Sequence, residues 1–142
     1  MIHYVVDASV VVQLLITDTY SDETEVLFDS IEDGNKLIVP EFGVIECTNV
    51  LWKHVRFHNL KQADAEGLVQ DLIKLDIVVT PVTSLMAHAL EIGLKHQLTI
   101  YDSIYIALAE KLNYPLITVD QKQAKASQTE GITLKNIADF TR

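Results

Sequence analysis

The stretch Ile2-His-Tyr-Val-Val-Asp-Ala-Ser-Val10 decides how the rest of the chain is read. Ile2–Val6 is a short apolar run rich in β-branched residues, as expected of a strand covered on both faces in a parallel sheet. Asp7 follows at once. An acid set against so apolar a run must be hydrogen-bonded, paired or metal-bound to keep its charge. Ala8–Leu15 then predicts a helix despite its valines, because packing overrides weak intrinsic propensity.

Outward from this unit the alternation repeats. A helix is expected over Asp22–Ile31, with Asp22 and Glu25 at capping-box spacing. Asp33-Gly34-Asn35 reads as a turn. Lys36–Val39 is a second strand, and Pro40 punctuates entry to a long helix over Glu41–Phe57. After the connector His58–Gln62, Asp64–Leu75 is an amphipathic helix. Ile77–Thr80, Pro115–Val119 and Ile132–Leu134 supply three more strands; Thr83–Lys95, Asp102–Leu112 and Gln121–Ser127 supply three more helices. Strands alternating with helices imply βαβ units. The expected fold is a three-layer α/β sandwich around a parallel sheet of about five strands, forming a single domain over residues 1–142.

Composition narrows the function classes. Apolar residues make up 49% and charged residues 22% of the 142, an ordinary globular balance for one domain. Cys47 is the only cysteine, so no intrachain disulfide forms and no oxidising compartment is implied. The opening MIHYVVDAS has no basic n-region, and no stretch approaches the ~20 apolar residues that span a bilayer. A cytoplasmic protein with no membrane partner is therefore expected. The formal charge of −9 runs against general nucleic-acid affinity, which rests on phosphate contacts. Any such role needs a local positive patch or a bound cation.

Most of the acidic residues, among them Glu23, Asp29, Glu32, Glu66, Asp71 and Glu91, fall on the polar sides of amphipathic helices. Asp7, Asp102 and Asp120 each stand where a helix N-cap would, and capping alone would account for each. Asp7 and Asp120 share a further property: both end strands. In an open parallel sheet such positions lie along the edge where ligands bind. Glu46 lies inside a helix whose apolar neighbours run almost all round, so that helix is expected to be largely buried. Glu46, Asn49, Lys53 and Arg56 recur at three- and four-residue steps and form one polar stripe. The stripe reads either as a solvent face or as an acid reaching a cleft, with the residues beyond it offering phosphate a track. Trp52 and Phe57 read as core or dimer-interface residues, and His54 and His58 as structural or surface ones.

Four segments taken together resemble the motifs of the PIN-domain family: VVDASV at 5–10, PEFGVIECTNVLWK at 40–53, YDSIYIALAEKL at 101–112 and PLITVDQ at 115–121. They are most similar to the VapC-type toxins of toxin–antitoxin pairs. The resemblance runs in order over nearly the whole chain. It implies an acidic quartet, Asp7, Glu46, Asp102 and Asp120, that binds Mg²⁺ or Mn²⁺ and hydrolyses RNA. Asp7 and Asp102 are expected as the main metal ligands, with Glu46 and Asp120 completing the site through water. Ser9 and Thr118 match the hydroxyl positions beside the first and last acids, and Asn49, Lys53 and Arg56 are candidates for RNA contact. The resemblance further implies a homodimer and an antitoxin partner. The alternative is a catalytically silent PIN fold kept for binding or dimerisation, which loss of one of the acids would favour; all four are present. A receiver domain would need its Asp after the third strand, where Pro81 stands. An aspartate-dependent phosphatase would show DxD after the first strand, where Ser9 takes the second position. Glycine-rich nucleotide-binding motifs are absent.

Overall fold

A computed structural model describes residues 1–142. Strands β1 (His3–Val6), β2 (Lys36–Pro40), β3 (Val78–Thr80) and β4 (Leu116–Ile117) form one sheet in the order β3-β2-β1-β4. Every pairing is parallel, with Tyr4 opposite Leu37, Val6 opposite Ile117 and Val39 opposite Val79. The fifth strand expected at Ile132–Leu134 is reduced to one parallel bridge, Leu116 to Leu134.

Side chains alternate across a strand, so each strand feeds two cores. Tyr4, Val6, Leu37, Val39 and Ile117 enter one cluster, which also takes Val10, Leu27, Cys47 and Leu72. These come from α1 (Ala8–Val11), α2 (Ser21–Asp29), α3 (Glu41–Phe57) and α4 (Gln62–Lys74). Val5, Ile38 and Leu116 enter the other, against Ile92, Ile106, Leu108 and Ala126. Those belong to α5 (Met86–His96), α6 (Ile100–Leu112) and α7 (Gln121–Thr129). Helices on both faces of a parallel sheet give three layers. No helix is long and apolar enough to cross a membrane.

Local chemistry sets several boundaries. Gly34 takes φ 98° at the end of the 3₁₀ turn after α2, a left-handed conformation that glycine adopts without a Cβ clash. The capping box expected from Asp22 and Glu25 does not form: α2 starts at Ser21, after Tyr20, with no side-chain cap. Helix α6 starts two residues before the expected Asp102, because Thr99 caps it and accepts the Asp102 amide at 3.2 Å. The expectation that α3 is largely buried is corrected. Only Gly43, Cys47 and Leu51 are buried in it, while Ile45, Trp52 and Phe57 are 68%, 56% and 63% exposed. One side of α3 packs on α4, α1 and β2, while the Ile45, Trp52 and Phe57 side chains are left uncovered.

The chain runs from β1 outward through β2 to β3, then crosses back to place β4 on the other side of β1. That reversal puts the carboxyl ends of β1 and β4 side by side at a switch point of the sheet, the usual ligand position in such folds.

Candidate active site

Asp7 follows β1 directly and is 5% exposed. Its backbone sits at the N-cap of α1, yet its side chain caps nothing. The carboxylate instead accepts from two hydroxyls at one oxygen, Oδ2: Ser9 at 2.5 Å and Thr118 at 3.1 Å. Oδ1 accepts from neither hydroxyl. The Ser9 hydroxyl also accepts the Val119 amide at 3.3 Å, and Thr118 Oγ1 accepts the Asp120 amide at 3.1 Å. These two small side chains therefore stitch the loop after β1 to the loop after β4.

Asp102 is not a cap either. Thr99 takes that place, which leaves the Asp102 carboxylate in the first turn of α6, partly exposed. Asp120 does cap, its Oδ1 accepting the Gln123 amide at 2.9 Å. Gln123 then reaches across with Nε2 to the Asp102 carbonyl at 3.1 Å. The third and fourth acids thus belong to two helices tied at their first turns.

Glu46 is held from below. Gly43 lets α3 sit so close to α6 that a Cβ there would lie 2.8 Å from the Tyr105 hydroxyl oxygen. That hydroxyl donates to Glu46 Oε1 at 2.8 Å and accepts the Ala8 amide at 3.3 Å. Tyr105 is fully buried, so one phenol anchors Glu46 to the residue following Asp7.

The electrostatics join the four acids into one group. Burial foremost holds the Asp7 carboxyl above the usual carboxylate range; the Ser9 and Thr118 hydroxyls oppose the shift, and Asp102 adds repulsion. Burial likewise pushes Glu46 up to about 7, with the Tyr105 hydroxyl opposing and Asp7 and Asp102 adding to it. Asp102 is raised by burial and then by Asp120. None of the four carboxylates is in an ion pair with a basic side chain. Burial also raises the Cys47 thiol to about 12 and lifts the Tyr105 phenol far above its ordinary value. Both stay protonated at neutral pH, and a protonated thiol is a poor nucleophile.

A hard divalent cation suits this donor set: oxygen ligands, mutual repulsion and no protein cation to relieve it. No three acidic, histidine or cysteine side chains stand close enough to enclose an ion by themselves. Mg²⁺ does not require that, since it keeps several waters and takes one or two carboxylates.

Other expected residues fall in two places. Asn49 lines a hollow with Glu46, Phe42, Ile45 and Tyr101. Lys53 and Arg56 lie exposed further along α3, with Arg56 over the Phe57 ring at 5.5 Å. Trp52 and Phe57 meet edge to face at 6.0 Å on the surface, outside the core. No sequence pattern singles out Tyr105 or Gln123 as functional. An isolated phenol inside an apolar helix was the only hint of the first, and nothing marked the second.

A family model described as "PIN domain" matches residues 4–128. The chain is 30% identical over 123 residues to Ribonuclease VapC3 of Pyrobaculum aerophilum, a match spanning 85% of this chain and 92% of that relative. Its fold superposes on the crystal structure of PAE2754 from the same organism with a TM-score of 0.75 at 21% identity, covering 97% of this chain and 92% of that one. It also superposes on VapBC2 from Rickettsia felis, solved bound to a DNA fragment from their promoter, with a TM-score of 0.69 at 10% identity over 95% of this chain and 98% of that one.

Proposed function

The chain belongs to the PIN-domain family, and from that premise we propose that it is a divalent-metal-dependent endoribonuclease, the toxin of a toxin–antitoxin pair. One observation carries this reading: Asp7, Glu46, Asp102 and Asp120 come from four separate elements, repel one another and have no basic partner. A binding module has no use for one buried and three half-buried acids without a basic partner, which cost stability unless a ligand compensates them.

Mg²⁺ or Mn²⁺, when bound, polarises the scissile phosphate and stabilises the charge that develops on it. The chain's own groups do the rest. Ser9 and Thr118 fix Asp7 through Oδ2, which would leave Oδ1 available to hold the ion. Asp102, freed from capping by Thr99, would be the second residue to hold it. Tyr105 occupies Glu46 Oε1, so Oε2 is the oxygen placed to orient the attacking water and take its proton. Asp120 completes the set from the α7 cap. Asn49, Lys53 and Arg56 extend from Glu46 along α3 as one limb of the RNA track.

We further read residues 1–142 as one nuclease domain acting in the cytoplasm as a homodimer. The exposed apolar side chains Ile45 and Trp52 on α3 and Leu90 and Leu94 on α5 supply its contact surface. An antitoxin that blocks the cleft is the expected partner, in keeping with the VapBC assemblies that share the fold.

The test is cleavage of single-stranded RNA with Mg²⁺ or Mn²⁺ by the wild type and by Asp7→Asn. Cleavage should vanish in the variant while far-UV circular dichroism stays native. Undiminished cleavage by Asp7→Asn would remove the reading.

A further inference from the structure

A chain with 20 acidic and 11 basic residues has to concentrate positive charge somewhere if it is to hold a polyanion. One hollow does so. It has a volume of about 250 Å³ and lies between the end of α5 and the outer face of α7, lined by His96, Gln97, Lys122, Lys125, Ala126 and Thr129. No acid lines it.

Lys122 and Lys125 are three residues apart on one helix, so both project from the same face. Both are exposed, and neither is in an ion pair. Neighbouring donors are already engaged: Lys95 at 2.9 Å and His96 at 3.2 Å share the Glu130 carboxylate. Two uncompensated ammonium groups therefore face a concave surface with nothing in the chain to neutralise them.

The position relates this hollow to the acids. Lys122 lies in the first turn of the helix that Asp120 caps. Gln97, on the opposite wall, leads into the α6 turn that carries Asp102. The hydrogen bond from Gln123 to the Asp102 carbonyl ties α7, the wall that carries both lysines, to the first turn of α6. The hollow thus shares helix α7 with the Asp120 cap, and the lysines that line it follow that acid within one and a half turns.

We propose that this hollow is a phosphate-binding limb of the RNA path, in which Lys122 and Lys125 contact the backbone of the strand flanking the scissile bond. The proposal rests on the nuclease reading, since it is the cleft that gives a strand reason to lie here. An acidic protein segment would meet the same two charges; adjacency to Asp120 and Asp102 favours the substrate.

The test measures binding of a short fluorescein-labelled single-stranded RNA by anisotropy across a salt series, in the Asp7→Asn background so that the RNA stays intact. Lys122→Ala/Lys125→Ala is compared with its parent and with Lys61→Ala/Lys74→Ala, an equal charge change at the two ends of α4. Each phosphate contact on a single strand contributes about 0.7 to the slope of log K against log salt. The α7 pair should flatten that slope by about 1.4 and weaken low-salt binding roughly tenfold, while the α4 pair leaves both unchanged. Unchanged binding in the α7 pair overturns the proposal, as does an equal loss in the α4 pair. Loss of affinity for a poly-glutamate peptide with RNA binding intact also overturns it, assigning the hollow to a protein partner. Wild-type cleavage assayed in parallel separates the two ideas: cleavage with no change in the α7 pair defeats this limb alone, and absence of cleavage defeats the nuclease reading.

Discussion

The Tyr105 hydroxyl donates to Glu46 Oε1 at 2.8 Å and in the same position accepts the Ala8 amide at 3.3 Å. The contact fixes an acid in the middle of α3 relative to the loop that carries Asp7. Replacing Tyr105 by Phe removes the donor and leaves a buried amide unpartnered. Such losses cost about 1–3 kcal/mol. Tyr105→Phe should therefore lower the urea midpoint with an unchanged m-value, and RNA cleavage should fall at least tenfold. Wild-type cleavage in a folded Tyr105→Phe protein would show that Glu46 needs no such anchor.

Gly43 makes that contact possible. An added Cβ would lie 2.5 Å from Val39 Cγ1 and 2.8 Å from the Tyr105 hydroxyl oxygen, and Val39 is 1% exposed. Overpacking of this kind costs about 1–3 kcal/mol, against a gain of at most ~1 kcal/mol from the better helix propensity of alanine. Gly43→Ala should be less stable than wild type in urea titration. A more stable variant would mean that α3 does not seat against Tyr105 as described.

Acid crowding has a sign that can be checked. Glu46 is pushed up to about 7, and Asp7 and Asp102 shift the same way. The folded state therefore binds protons more tightly than the unfolded chain between roughly pH 4.5, the ordinary value, and 7. Stability from these groups is full at the acid end and is lost as pH rises through that window. In EDTA, the melting temperature should fall between pH 5 and pH 7.5, and Glu46→Gln should flatten the decline. Mn²⁺ should reverse it in the wild type. A melting temperature that rises across this window with equal slopes for wild type and Glu46→Gln would contradict the crowding.

The uncovered face of α3 makes its own prediction. Trp52 and Phe57 are more than half exposed, as are Leu90 and Leu94 on α5. Charge placed in a homodimer core is costly, so Trp52→Glu should sediment as a monomer where the wild type sediments as a dimer, with helix content retained. A wild type that is monomeric at the same concentration would reassign that face.

Much of this was legible in the sequence for definite reasons. Buried strands announce themselves as short β-branched runs, so β1, β2 and the region of β4 were located, along with the acids that follow β1 and β4. The Asp22 and Glu25 capping box failed because spacing says nothing about where the chain enters a helix, and here entry is set at Ser21. The apolar girth of α3 predicts burial, but hydrophobicity equally marks a surface that faces another molecule. Asp102 stands where a cap is expected because Thr99, the residue that caps, lies between two expected helices in residues assigned to neither. Tyr105 and Gln123 act through contacts across helices, and no local pattern encodes those.

On the proposed mechanism, acids from separate elements serve one divalent cation. Mn²⁺ binding to wild type, Asp7→Asn and Asp102→Asn by isothermal titration calorimetry tests it most directly. One site per chain is expected in the wild type, with each substitution weakening it at least tenfold while circular dichroism remains native. Wild-type affinity in either folded variant would mean that Asp7 and Asp102 do not share an ion.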